Sequence, residues 1–184
     1  VLYSPLDFFN DQEQAMITFD REDMRFTYRI AGVALHEGRV LLHRAGHEDF
    51  WSLPGGRCEM REPSGDALRR EMREELGVDV TVDRLLWVVE NFFHYAERQC
   101  HELGLYYLMS FPAAAGLHER GETFIGQEGE MELIFRWHDL ATINDLRIYP
   151  SFLCDRLMAI PASVEHITHF DEGSGGDALL GFGA

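Results

Sequence analysis

The chain of 184 residues contains no lysine: all 16 of its basic side chains are arginine, set against 32 acidic ones for a formal net charge of -16. Without lysine, Schiff-base chemistry and a Walker-type phosphate loop are excluded, since both need an ammonium on a flexible stem. The acid excess speaks against duplex nucleic acid as the main partner, because affinity there comes from clustered Lys and Arg neutralising phosphates. A chain of this charge that handles phosphate needs a metal ion to do so.

Cysteine is also scarce. Cys58, Cys100 and Cys154 lie far apart, which excludes a disulfide framework and a paired zinc motif and leaves idle thiols as the expectation. No apolar run approaches the roughly 18 residues of a membrane span, so no membrane partner is expected. Val1 to Asn10 lacks the basic-then-apolar layout of a signal peptide, and cytoplasm is the expected compartment. The nine histidines include no His-Glu-x-x-His helix, because His101-Glu102 is followed by Leu103, Gly104 and Leu105. His166 and His169 read as solvated residues of a terminal segment.

What is present is enough for one packed core: 46% hydrophobic and 12% aromatic residues in a chain of single-domain length. Three parts are expected: a polar and aromatic lead-in over 1–24, a domain over 25–160, and a C-terminal segment over 161–184. The last ends in a glycine-rich tail around Gly173, Gly175 and Gly176, a composition that predicts flexibility. Within the domain, Phe26 to Leu35 and Val40 to Leu42 around Glu37-Gly38 predict a β-hairpin. Gly46 to Arg61 predicts a loop. Pro63 and Ser64 open a helix that Gly77 closes. Val78 to Val82, Leu85 to Phe93, Leu103 to Phe111 and Met131 to Trp137 predict further strands, and Ser151 to Ile160 a second helix. Strands and helices in this order do not make regular βαβ units, so the expected class is α+β or an α/β/α sandwich with a central mixed sheet.

The helix after Pro63 is the informative stretch. At about 100° per residue, Glu71, Glu74 and Glu75 share one face, and Leu68, Met72 and Leu76 form an adjacent apolar stripe. Like charges at i and i+4 repel by a few tenths of a kcal/mol, roughly, on an exposed helix. A solvated, mildly frustrated surface is one reading. The other is that a hard divalent cation, Mg²⁺ or Mn²⁺, sits among the oxygens and turns repulsion into coordination.

The order Gly56, five residues, Glu62, seven residues, Arg70-Glu71-Met72, one residue, Glu74-Glu75, one residue, Gly77-Val78 resembles the Nudix box at every fixed position. Trp51-Ser52-Leu53-Pro54-Gly55-Gly56 resembles its usual lead-in. The resemblance implies an α/β/α sandwich with the box (56–78) as a loop, helix, loop unit, and Mg²⁺-dependent hydrolysis of a nucleoside diphosphate linked to another group. It implies metal ligation by Glu71, Glu74 and Glu75 with the Gly55 carbonyl, and Arg70 orienting a box carboxylate. Glu62 either ligates weakly or serves the helix end. The general base is Glu71 or one of Glu128, Glu130 and Glu132, of which Glu130 is taken as the leading candidate from the later run. Arg29 and Arg44 are candidate phosphate contacts, and Phe50, Trp51, Phe92, Phe93 and Tyr95 candidate base contacts. Tyr95 falls where members of the family acting on dinucleoside polyphosphates carry a tyrosine. A non-catalytic Nudix-fold nucleotide sensor is the alternative from a different class, and hydrolysis of capped or triphosphorylated RNA ends is a third reading. A homodimer is the assembly the resemblance suggests.

Overall fold

The computed structural model describes residues 16–117 and 123–171. Most of the lead-in and the glycine-rich tail lie outside them. Strand β1 (Thr18–Arg21) pairs with β2 (Met24–His36), which turns at Glu37 and Gly38 into β3 (Arg39–Ala45). Both turn residues hold positive φ, 48° and 76°, so the expected glutamate-glycine turn closes the hairpin. Helix α1 (Ser64–Leu76) begins after Pro63, whose fixed φ suits a helix entry, and ends at Gly77 in the left-handed region at φ 68°. The Gly77 N–H returns to the Arg73 carbonyl at 2.9 Å.

Strands β4 (Thr81–Tyr95), β5 (Arg98–Ser110), β6 (Thr123–Glu128), β7 (Met131–Asp139) and β8 (Glu165–Phe170) complete one eight-stranded sheet. Its order is β6-β7-β3-β2-β5-β4-β8, with β1 beside β2. The pairs β2–β5 and β4–β8 are parallel and the others antiparallel. The sheet is therefore mixed, as expected. Alternation along the strands divides the core in two. Ile30, Ala34, Leu41 and Phe135 face α1, packing against Leu68, Met72 and Leu76. Ala31, Val33, Val40 and Leu42 face the opposite layer, where a 3₁₀ turn (Leu140–Asp145) and the short helix α2 (Leu153–Arg156) supply Ile143, Leu153 and Leu157.

Several elements differ from the sequence-based expectation, among them β6, a strand expected nowhere in 123–128. The two strands expected over 78–93 are one, because register shifts at Asp83 and Leu86 absorb the interruption as bulges. The shift at Leu86 lets Leu86 and Trp87, neighbours in sequence, enter the same core. The second helix spans only Leu153–Arg156; the residue before Pro161 is disfavoured in helical geometry, and Leu153 and Leu157 still dock as anchors. The segment holding His166 and His169 is a strand, paired with β4 in register from Trp87↔Glu165 to Phe92↔Phe170.

Candidate active site

Helix α1 does not lay its three carboxylates on a solvated face. Glu71 and Glu75 are 6% and 4% exposed, grouped with Leu68, Met72 and Leu76 on the packed side, and only Glu74 is open to solvent. Two glycines bring the cover this close. A Cβ at Gly56 would collide with the Glu71 carboxylate, and one at Gly126 with the Glu75 carbonyl and the Phe135 ring. Gly55, at φ 140°, runs against the Ile30 carbonyl and the Ala31 backbone, which seats its own carbonyl beside the first half of β2.

Arg70 ties the box together. Its guanidinium donates to both oxygens of Glu62 at 2.9 and 3.0 Å, to Glu71 Oε1 at 2.9 Å, to Glu74 Oε2 at 3.1 Å and to the Arg57 carbonyl at 3.0 Å. This forked geometry fits arginine and not lysine. Glu62 also accepts the Glu59 N–H at 3.1 Å. Its carboxylate is therefore committed to the loop and to Arg70, and it does not cap α1, which has no side-chain cap.

Glu75 is different, because both of its carboxylate oxygens are buried without a hydrogen-bond partner. Burial pushes its pKa well above the usual carboxylate range, and Glu71, Glu128 and Glu74 add to the rise while Arg29 opposes it. Burial also raises Glu71, against the pull of Arg70. An unpartnered buried carboxylate is a feature that requires a reason. Among the described residues no three His, Cys, Asp or Glu side chains converge as a finished metal cage. The donor set nevertheless suits a hard cation: two carboxylates, the solvent-side Glu74 and the Gly55 carbonyl are all oxygen donors, and Mg²⁺ binds through one or two carboxylates while keeping several waters. The residues present fit such an ion.

The box opens on two spaces. A small cleft of about 240 Å³ is lined by Glu74, Glu75, Gly126, Gln127 and Glu132. On the other side lies a cavity of about 540 Å³ that reaches Gly55, Gly56 and Glu128. Arg29, Arg44 and Tyr95, separate in sequence, all line this larger cavity, as do Phe50 and Phe93. Arg29 donates to the Leu53 and Gly55 carbonyls at 3.4 and 3.3 Å. Burial works against its charge, but Glu102, Tyr106, Glu75 and Glu71 outweigh that and hold it firmly protonated. Arg44 lies over the Trp51 ring at 5.3 Å and donates to the Glu48 carbonyl. Tyr95 is exposed and its hydroxyl meets Glu48 at 3.4 Å.

Glu130 is not brought into the site. It occupies the exposed turn between β6 and β7 and lines neither space, whereas Glu128 lines the larger and Glu132 the smaller. Alternation placed Glu130 and Glu132 on one side of a strand, but β7 begins only at Met131. Trp51 packs edge-on against His138, and Phe92 stacks on His101 and Phe170 on the α1 side of the sheet; neither lines the cavity. Sequence reasoning missed His43, Asn91, Glu102 and Asp171, all buried and all lining the cavity. No motif marks them; only the register that sets Asn91 opposite Glu102 does so. Burial and the nearby Arg29 push His43 down to about 3, so it is a neutral wall residue. Cys58, buried and raised to about 11, is the idle thiol expected.

Comparison with known proteins identifies the family. The NUDIX domain pattern matches residues 27–152. The chain belongs to the NUDIX family. Over 124 residues it is 33% identical to the Bacillus subtilis protein YjhB, provisionally named an ADP-ribose pyrophosphatase, a match covering 67% of this chain and 57% of that protein. It is 48% identical over 44 residues to the 8-oxo-dGTP diphosphatase of Proteus vulgaris, covering 24% of this chain and 39% of the relative. The chain thus spans well under two thirds of the length of these curated relatives. Among solved structures, an ADP-ribose pyrophosphatase from Streptococcus suis superposes with a TM-score of 0.51 at 18% identity, covering 79% of this chain and 98% of that one. The MutT protein of Bacillus halodurans gives 0.52 at 16% identity, covering 78% and 89%. At these identities the structures establish the shared fold, the NUDIX α/β/α sandwich, and nothing finer. Divalent metals are general in the family, and no helix among the described residues is long and apolar enough to cross a membrane.

Proposed function

We propose that this NUDIX chain is a Mg²⁺-dependent hydrolase that cleaves a phosphoanhydride bond in a small nucleotide, a nucleoside diphosphate carrying a further group. The observation that carries the reading is the Glu75 carboxylate, buried beside Glu71 with both oxygens unpartnered, on a residue lining the small cleft, while Gly55 and Gly56 of the same loop and helix unit line a cavity large enough for a nucleotide. Glu71, Glu75 and the Gly55 carbonyl would hold the ion, with Glu74 joining from the solvent side. When bound, the ion neutralises anhydride oxygens and makes a water more acidic.

The protein's own groups do the rest. Arg70 is a positioning residue: it fixes the Glu71 carboxylate while its other nitrogens are spent on Glu62 and the Arg57 carbonyl. Arg29 holds the Gly55 carbonyl in place and brings a fixed positive charge to the cavity. Arg44 stands at the wall of the same cavity, available to a second phosphate. Glu128 lines the cavity near Glu75 and is assigned as the group that accepts a proton from the attacking water, in preference to Glu130. Phe50, Phe93, Tyr95 and Tyr149 form aromatic wall against which a base can stack.

The test is incubation with Mg²⁺ and a panel of nucleoside triphosphates, nucleotide sugars, ADP-ribose and dinucleoside polyphosphates, with identification of products. Release of a nucleoside monophosphate from at least one compound, lost in Glu75→Gln, is the expected result. Binding of a nucleotide by calorimetry without product from any member would favour the sensor reading.

A further inference from the structure

The floor of the large cavity, away from the box, carries an unused recognition group. Asn91 on β4 is 3% exposed and lines the cavity, and its Oδ1 has no hydrogen-bond partner. Directly across the sheet, Glu102 on β5 is its partner in register. Oδ1 is thus a buried acceptor without a donor.

The surroundings repeat the theme. Asp171, 3% exposed at the end of β8, also lines the cavity and accepts from the Ser151 N–H at 3.1 Å, from the Ser151 hydroxyl, and from His169 at 3.0 Å if that nitrogen is protonated. The floor thus presents acceptors: Asn91 Oδ1 and the carboxylates of Glu102 and Asp171. Phe93 and Tyr95 follow Asn91 at alternate positions on β4, so rings stand on the same side of the strand. Gly104, opposite Arg29, lies two residues from Glu102, about 7 Å along β5. Glu102 is also the foremost charge holding Arg29 protonated, so the acceptors lie near the guanidinium that touches Gly55.

We propose that Asn91 is a specificity residue that accepts a hydrogen bond from the exocyclic amino group of a nucleobase, so that the site takes an amino-bearing base in preference to its counterpart without one. A uracil-type edge suits the floor poorly, because carbonyl oxygens flank its N–H and would face Glu102 and Asp171. The proposal deepens the hydrolase reading by naming the substrate class, but its test reads binding and does not depend on turnover.

Calorimetric dissociation constants are measured with Mg²⁺ for three pairs: ADP against purine riboside 5′-diphosphate, GDP against IDP, and CDP against UDP. At least one amino-bearing member should bind about tenfold more tightly than its counterpart, the worth of roughly one buried hydrogen bond. In Asn91→Leu that ratio should fall below about twofold, with the weaker-binding member little changed. The ligand pairs on the unaltered protein keep the test decisive if the variant does not fold. Equal binding within all three pairs, a uniform loss across all six compounds in the variant, or a preference that follows removal of ribose hydroxyls overturns the assignment. Discrimination without hydrolysis would leave Asn91 in its role and defeat only the hydrolase reading.

Discussion

Two pairs of buried carboxylates frame this site, and the protein treats them in opposite ways. Glu102 and Asp171, on the cavity floor, are supplied with partners from the chain itself: the charge of Arg29 for one, the Ser151 N–H and hydroxyl for the other. Glu71 and Glu75, on α1, are an (i, i+4) pair in which Glu71 has one guanidinium contact and Glu75 has nothing. Burial is nearly the same at the two ends, 8% and 3% exposed against 6% and 4%. The difference therefore lies in partners and not in solvent access. Where a chain satisfies its own buried charge, it has built a wall; where it leaves one unsatisfied beside a like charge, the proposed cation is the partner that would complete it.

Removing the unsatisfied charge is the sharpest way to break that contrast. Glu75→Gln should lower kcat/KM by about a hundredfold or more with Mg²⁺, since under the proposed function it deletes a ligand of the ion and not a prop of the fold. Retention of wild-type rates on the preferred substrate would remove Glu75 from the metal site. The mirror experiment at the satisfied end is Asp171→Ala, which strands the Ser151 N–H and hydroxyl together. It should cost about 3 kcal/mol in urea unfolding, by the same amount with and without Mg²⁺. If the loss at Asp171 instead varied with the ion, the two ends would not be independent.

Arg70→Lys tests the link between fold and site. Lysine keeps the charge but has three donors on one nitrogen and cannot reproduce the five bonds of the guanidinium fork. The expected loss is about 2 kcal/mol of stability, with a fall in kcat at unchanged KM because the substrate itself is not touched. A rise in KM alone would mean that Arg70 contacts the nucleotide directly.

How much of this contrast the sequence discloses follows from the range of the forces involved. The α1 end is legible because its signals are local. Proline, glycine and glutamate spacing define helix, cap and carboxylate face within 23 residues, and the structure keeps α1 at the expected bounds. The sequence could not show that Glu71 and Glu75 are buried, since the cover comes from Gly56 and Gly126, and Gly126 lies on a strand no periodicity announced. The far end is illegible for the same reason throughout. Asn91, Glu102 and Asp171 come from three strands, and only the registers Asn91↔Glu102 and Asn91↔His169 bring them together. Pairing register is a long-range property that composition does not encode locally. β8 was missed because its alternating Glu165-His166-Ile167-Thr168-His169-Phe170 reads as polar, although a half-exposed edge strand has that pattern.

The smallest effect sharpens the comparison most. A carboxylate whose pKa is raised by folding binds more protons in the folded state than in the unfolded one, so its contribution to stability is present below the usual carboxylate pKa and is lost as pH rises through the folded value. Glu75 is raised well above the usual range, by burial first. The buried histidines act in the opposite sense, because His43 and His138, held near 3 and 4 by burial, favour unfolding as pH falls below about 6.5. Subtracting the Glu75→Gln curve from that of the wild type cancels both histidines and leaves Glu75 together with its coupling to Glu71. Without divalent ion, that difference should move against the wild type from about pH 5 upward, by at most about 1.4 kcal/mol for each pH unit. With saturating Mg²⁺ the trend should reverse, since the ion favours the ionised carboxylate and binds only the folded chain. The corresponding Glu102→Gln subtraction should show no such reversal. A Glu75 difference that stays flat with pH, or a Glu102 difference that responds to Mg²⁺, would mean that the two carboxylate pairs are not distinguished by an external cation.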